Sequence, residues 1–121
     1  MSRTILLIED NEQNRYLVGF LLEQEGYTVV MAEDGARGIE AALRIQPDLI
    51  LLDIPLPRMD GYVVARSLRE LELLKFVPIV AVTSYAMAGD REKTLEAGCN
   101  GYIEKPINPE TFVAEIEPFF S

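Results

Sequence analysis

Five short apolar runs, each followed by a longer stretch of helical period, constrain this chain more than any other feature of its sequence. The runs are residues 4–8, 28–32, 49–52, 79–82 and 102–104, and several are nearly unbroken Val, Ile and Leu. Such runs read as parallel strands covered on both faces. Between them Leu17, Val18, Leu21 and Leu22 form an apolar helical stripe after Asn11. Ala36, Ile39 and Leu43 form a second after Asp34-Gly35, and Val64, Ala65 and Leu68 a third after Asp60-Gly61. Phe112, Ile116 and Phe119 form the last, with Asn108 expected as N-cap and Pro109 at the first helical position. The segment 90–97 has helical character but little apolar surface, so it is expected to be the least firmly docked helix. The alternation predicts an α/β fold: a doubly wound, five-stranded parallel sheet with right-handed crossovers and the flavodoxin-like order 2-1-3-4-5.

Composition narrows the chemistry. The 121 residues suit one domain spanning 1–121, and 49% apolar content is enough for a core that needs no cross-links. With one cysteine, Cys99, and no histidine, the chain has no internal disulfide and little to offer a zinc ion. Eleven basic against 20 acidic residues give a net charge of −9, which argues against nucleic acid and against anionic membranes. A protein partner or a small phosphorylated donor fits that charge better. The run from Ile5 to Ile8 stops at Glu9-Asp10, too short for a signal peptide, and no stretch approaches the ~20 apolar residues that span a bilayer. A cytoplasmic protein is expected.

In an open parallel sheet the ligand site lies beyond the carboxyl ends of the strands, where the strand order reverses. Here that position is between the first and third strands. The first strand ends in Glu9-Asp10, the third in Asp53, the fourth in Thr83-Ser84 and the fifth in Glu104-Lys105-Pro106. Each residue alone has an ordinary reading as a turn, cap or solvated side chain. Together they place three carboxylates, a hydroxyl and an ammonium at one mouth. Three clustered carboxylates repel, and a hard dication offsets this; Mg²⁺ takes oxygen ligands from one or two carboxylates together with phosphate oxygens. The set suits phosphoryl transfer, which needs an in-line nucleophile and compensated charge on the equatorial oxygens.

The segments 5–11, 47–53, 56–61, 78–83 and 97–106 carry a resemblance over the whole chain. They read Ile-Leu-Leu-Ile-Glu-Asp-Asn, Pro-Asp-Leu-Ile-Leu-Leu-Asp, Leu-Pro-Arg-Met-Asp-Gly, Pro-Ile-Val-Ala-Val-Thr and Ala-Gly-Cys-Asn-Gly-Tyr-Ile-Glu-Lys-Pro. The chain resembles the receiver domains of two-component response regulators, the CheY-like family. Glu9 to Arg15 and Ala86 to Asp90 are similar to receivers of hybrid kinases and to stand-alone regulators of the DivK type. The resemblance implies that Asp53 is the phosphoacceptor and that Asp10 and Asp53 hold Mg²⁺, with Glu9 acting through water and the carbonyl of Pro55 completing the ion site. It implies that Lys105 contacts the phosphoryl group and Thr83 turns its hydroxyl onto a phosphate oxygen. Tyr102 would follow from solvent to interior, and Lys105-Pro106 would be a cis peptide.

The implied donor is a histidine kinase, a histidine phosphotransfer protein or acetyl phosphate. The implied output is a protein-binding surface on the 90–97 helix, the fifth strand and the last helix of a monomer or weak dimer. With nothing after Ser121 for an output domain, the readout is expected to fall to a separate protein or to the rest of a longer chain. No turnover of other substrates is expected. Proline at 55 departs from the family pattern: it keeps a carbonyl but lacks a side chain that positions water, so Pro55 and Tyr85 are expected to slow hydrolysis of the phosphoryl group. A haloacid-dehalogenase-type phosphatase would need a second aspartate at that same place and a cap domain. A receiver fold that is not phosphorylated is the other alternative. Dinucleotide binding lacks a Gly-x-Gly-x-x-Gly after the first strand.

Overall fold

The computed structural model describes residues 3–54, 61–83 and 88–120, and the side chains of these except 88–91. The strands are β1 (Thr4–Ile8), β2 (Thr28–Ala32), β3 (Leu49–Ile54), β4 (Ile79–Thr83) and β5 (Gly101–Glu104). The helices are α1 (Glu12–Gln24), α2 (Gly35–Ile45), α3 (Gly61–Glu70), α4 (Ala88–Glu96) and α5 (Phe112–Ile116), with 3₁₀ turns at Glu72–Leu74 and Glu117–Phe119. All strand pairs are parallel and the order is β2-β1-β3-β4-β5, as the alternation predicts.

The period of two along the strands sorts their apolar side chains into two layers. Ile5, Leu7, Leu49, Leu51, Val80, Val82 and Ile103 face Val18 and Leu22 of α1 and Phe112 and Ile116 of α5. Leu6, Ile8, Ile50, Leu52, Ile54, Ile79 and Ala81 face α2 and α3 and meet Ala97 and Cys99. Each fully buried Leu or Ile contributes roughly 1.5–3 kcal/mol. The exposed Arg37–Glu33 pair at 2.9 Å contributes no more than about 1 kcal/mol, so the layers carry the fold.

Three local expectations are corrected. The buried face of α2 is Gly35, Gly38, Ala41 and Ala42, while Ala36 and Leu43 are exposed and Ile39 half-buried. Small residues win because α2 lies directly on β1: a Cβ on Gly38 would stand 2.4 Å from Ile8 Cδ1. On α1, Val18 and Leu22 are buried, but Leu17 is exposed. The last helix begins at Phe112 rather than Pro109. Asn108 instead caps a turn: its Oδ1 accepts from Glu110 N at 3.0 Å, and its carbonyl accepts from Thr111 N at 3.1 Å and Phe112 N at 2.9 Å. Phe119 lies in the following 3₁₀ turn, against Gly101.

Arg69 locks the end of the sheet remote from the carboxyl ends. Its guanidinium donates to the carbonyls of Gly98 (3.0 Å), Leu74 (3.1 Å), Lys75 (3.2 Å) and Val77 (2.9 Å) and to Asn100 Oδ1 (2.8 Å). Asn100 Oδ1 also accepts from Ile79 N at 2.9 Å. One side chain thus ties α3 to the segments that enter β4 and β5. Arg69→Ala leaves these acceptors without a charged donor and is expected to cost about 3 kcal/mol, read as a lower urea midpoint with unchanged slope. Beside it, burial pushes the Cys99 thiol up to about 11, with Arg69 opposing the shift, so Cys99 is an inert core residue.

Candidate metal centre

Register brings the functional strand ends together. Ile8 pairs with Leu52, Asp53 with Val82, Ile54 with Thr83, and Thr83 with Glu104. Directly after β1, the Glu9 N–H donates to Ala32 O at 3.0 Å. The chain then turns into α1 through Asn11, whose Oδ1 accepts from Asn14 N at 2.9 Å as the N-cap. Glu9 and Asp53 are each only 4% exposed and Thr83 1%, whereas Asp10 is open to solvent. Carboxylate oxygens of Glu9, Asp10 and Asp53 lie within 4.8 Å of one another. Lys105 enters from β5: its N–H donates to Thr83 O at 2.7 Å, and its ammonium ion-pairs with Asp53 Oδ1. The Lys105–Pro106 peptide is cis.

The charge balance of this nest is incomplete. Lys105 offsets one carboxylate among three. Burial, reinforced by the adjacent Asp53 carboxylate, raises the Glu9 carboxyl from 4.5 to about 8, and Lys105 and the Asn14 side chain only partly oppose this. Among the described residues, buried Glu9 Oε2 accepts no hydrogen bond, while Asp53 Oδ1 is held by the Lys105 ammonium. An unpartnered buried carboxylate oxygen on Glu9 beside two further acids fits a hard, oxygen-seeking dication, which would add the missing positive charge and favour the ionised form of Glu9.

Of the residues singled out in the sequence, Glu9, Asp10, Asp53 and Lys105 converge here, and Thr83 stands at the end of β4, its carbonyl bonded to Lys105 N. Tyr102 does not join them: it is half-buried, opposite Ala81 in register and packed on the α2/α3 layer. Pro55, Ser84 and Tyr85 lie outside the described residues. Beside the nest, between α1 and the segment after β5, is a cavity of about 370 Å³ whose walls include Asn14, Leu17, Val18, Val82, Pro106 and Ile107. The exposed Leu17 is therefore part of the rim of the site. Sequence reasoning missed Arg15, whose Nη1 donates to the carbonyls of Glu9 at 2.8 Å and Asp10 at 3.0 Å. A cation in the first turns of a helix opposes the helix dipole, and that mismatch was the available clue.

Residues 5–117 match the response regulator receiver domain family. The polar-differentiation response regulator DivK of Brucella ovis is 38% identical over 119 residues, covering 98% of this chain and 97% of its own length. The receiver domain of sensor histidine kinase PA1611 from Pseudomonas aeruginosa superposes with a TM-score of 0.90 at 37% identity, covering 98% of each chain; it was solved with a magnesium ion coordinated in the active site cleft. The chemotaxis response regulator CheY4 of Vibrio cholerae superposes with a TM-score of 0.94 at 27% identity, covering 99% of this chain and 100% of its own.

Proposed function

The chain belongs to the response regulator receiver domain family of two-component systems, and from that premise we propose that it takes a phosphoryl group on Asp53 with the help of Mg²⁺. The observation that carries the reading is a buried Asp53 carboxylate held by Lys105 inside a nest of three acids. An Asp53 oxygen attacks phosphorus in line. The P–N bond of a phosphohistidine donor, or the P–O bond of acetyl phosphate, breaks, and the leaving group departs with the bonding pair. Asp10, Asp53 and, through water, Glu9 are the residues that would hold the ion, which when bound neutralises charge on the transferring oxygens. Lys105 supplies a fixed cation on the other side of Asp53 and follows the phosphoryl group after transfer.

Thr83 and Tyr102 form the proposed switch. The Thr83 hydroxyl gains a phosphate oxygen only in the phosphorylated state, a differential interaction of roughly 1–3 kcal/mol, as in typical coupled sites. In support of an output face on α4, β5 and α5, Leu95, Tyr102, Glu104, Glu115 and Phe119 border one cleft of about 560 Å³. The donor is a histidine kinase or histidine phosphotransfer protein and the reader a downstream protein, met by a monomer or weak dimer in the cytoplasm. Among the described residues no helix is long and apolar enough to cross a membrane. The chain catalyses only its own phosphorylation and dephosphorylation, and neither nucleic acid nor membrane is a partner. Intact mass after acetyl phosphate and Mg²⁺ should rise by one phosphoryl group and stay unchanged with chelator; no rise in either sample would remove the reading.

A further inference from the structure

Arg15 sits in the first turns of α1, a place where the helix dipole disfavours a cation. It does not compensate by pairing with an acid: among the described residues Arg15 forms no ion pair, although three carboxylates cluster next to it. Its half-buried guanidinium instead turns back along the chain, and Nη1 donates to the carbonyls of Glu9 (2.8 Å) and Asp10 (3.0 Å). Arg15 N in turn donates to Asn11 O at 2.9 Å, so the helix that carries the guanidinium starts from the loop it holds.

We infer that Arg15 is a positioning residue that sets the Glu9-Asp10 backbone so that both carboxylates present free oxygens to a dication. Glu9 is fixed on both sides, by its N–H to Ala32 O and its carbonyl to Arg15. Asp10 is exposed and leaves the sheet, so its carbonyl bond to Arg15 restrains a segment that the ladder no longer holds. Because Nη1 of Arg15 bonds carbonyls and no described carboxylate pairs with the guanidinium, Arg15 orders the acids without occupying the carboxylate oxygens that a metal needs. This inference rests on the magnesium-binding reading and deepens it.

Coulomb's law and positioning predict opposite signs, which makes the test decisive. Removing a cation beside three carboxylates should, by charge alone, tighten a dication. Removing a positioning bond should weaken it, by about tenfold or more as for other groups that orient metal ligands. Mg²⁺ titration by calorimetry on the wild type, Arg15→Ala and Arg37→Ala, all held well below their metal-free melting temperatures, separates the two. Arg37 is an exposed arginine ion-paired to Glu33, so Arg37→Ala changes the net charge equally. Arg15→Ala is expected to raise Kd about tenfold while Arg37→Ala stays within about twofold. An Arg15→Ala protein that melts lower but binds Mg²⁺ equally or more tightly overturns the inference. A wild type that binds no Mg²⁺ overturns it together with the metal-site reading. Should Arg15→Ala not fold, Arg15→Lys decides: it keeps the charge with a shorter reach and must still raise Kd, and an unchanged Kd overturns the inference.

Discussion

Asp53→Asn is expected to take no phosphoryl label from acetyl phosphate under conditions that label the wild type, with intact mass spectrometry as the readout. The amide is a poor nucleophile, and among the described residues no neighbouring acid is placed to substitute. Glu9 is buried and, with its carboxyl raised to about 8, holds its proton near neutral pH in the metal-free protein. Asp10 is exposed, and among the described residues the ammonium of Lys105 is paired with Asp53 and not with Asp10. Full labelling of Asp53→Asn would move the phosphoacceptor elsewhere and remove the mechanism proposed for this site. The substitution has a second consequence. Asp53 contributes to the raised Glu9 carboxyl, so Glu9 in Asp53→Asn should ionise at lower pH than in the wild type while burial still holds it above an ordinary glutamate.

The affinity for Mg²⁺ is expected to rise about tenfold per pH unit as pH climbs toward 8 and to level off above it. A dication at the nest requires Glu9 ionised, and below about 8 the metal-free protein must first give up the Glu9 proton. Two units below that value the loss is about a hundredfold. Metal-free stability has the opposite slope. The folded Glu9 binds its proton up to about 8 and the unfolded chain only to about 4.5, so folding takes up a proton between those values. That contribution is complete below about 4.5 and is lost as pH rises through about 8. Melting in chelator should therefore fall across this window by an increment that saturating Mg²⁺ removes. Calorimetric Kd values that stay flat between these pH limits would show that Glu9 is already ionised without the metal.

How far the sequence led depended on what each residue type encodes. The bounds of β1 and β2 coincide with their apolar runs, because each run meets an acid at its end, at Glu9 and Glu33. β3 continues through Asp53 and Ile54, beyond the apolar run, because its ladder with β4 persists to the Ile54–Thr83 pair. An aspartate reads as the start of a loop, and only the partner strand reveals that it is still paired. The α2 stripe was misplaced because large apolar residues dominate a periodicity count, whereas the contact with β1 selects for the absence of a side chain at Gly38. The candidate site was legible because its acids, Thr83 and Lys105 stand at strand ends, whose positions the topology fixes. Arg15 showed only as a cation set against the helix dipole, since its partners are carbonyls, which every residue has.

The seam between Gly38 and Ile8 has a bearing on how stiffness is distributed. Ile8 fills the space where a side chain of α2 would be, and the next residue along is Glu9. At that seam a side chain on α2 would have no room, so the helix backbone and β1 pack closely just behind Glu9. On the far half of the sheet, among the described side chains of α4 and the residue that follows it, Thr94 and Ala97 are the buried ones, and both are small. The packing on the two sides of the sheet is thus unequal, close-set where α2 meets β1 behind Glu9 and made of small contacts toward β4 and β5.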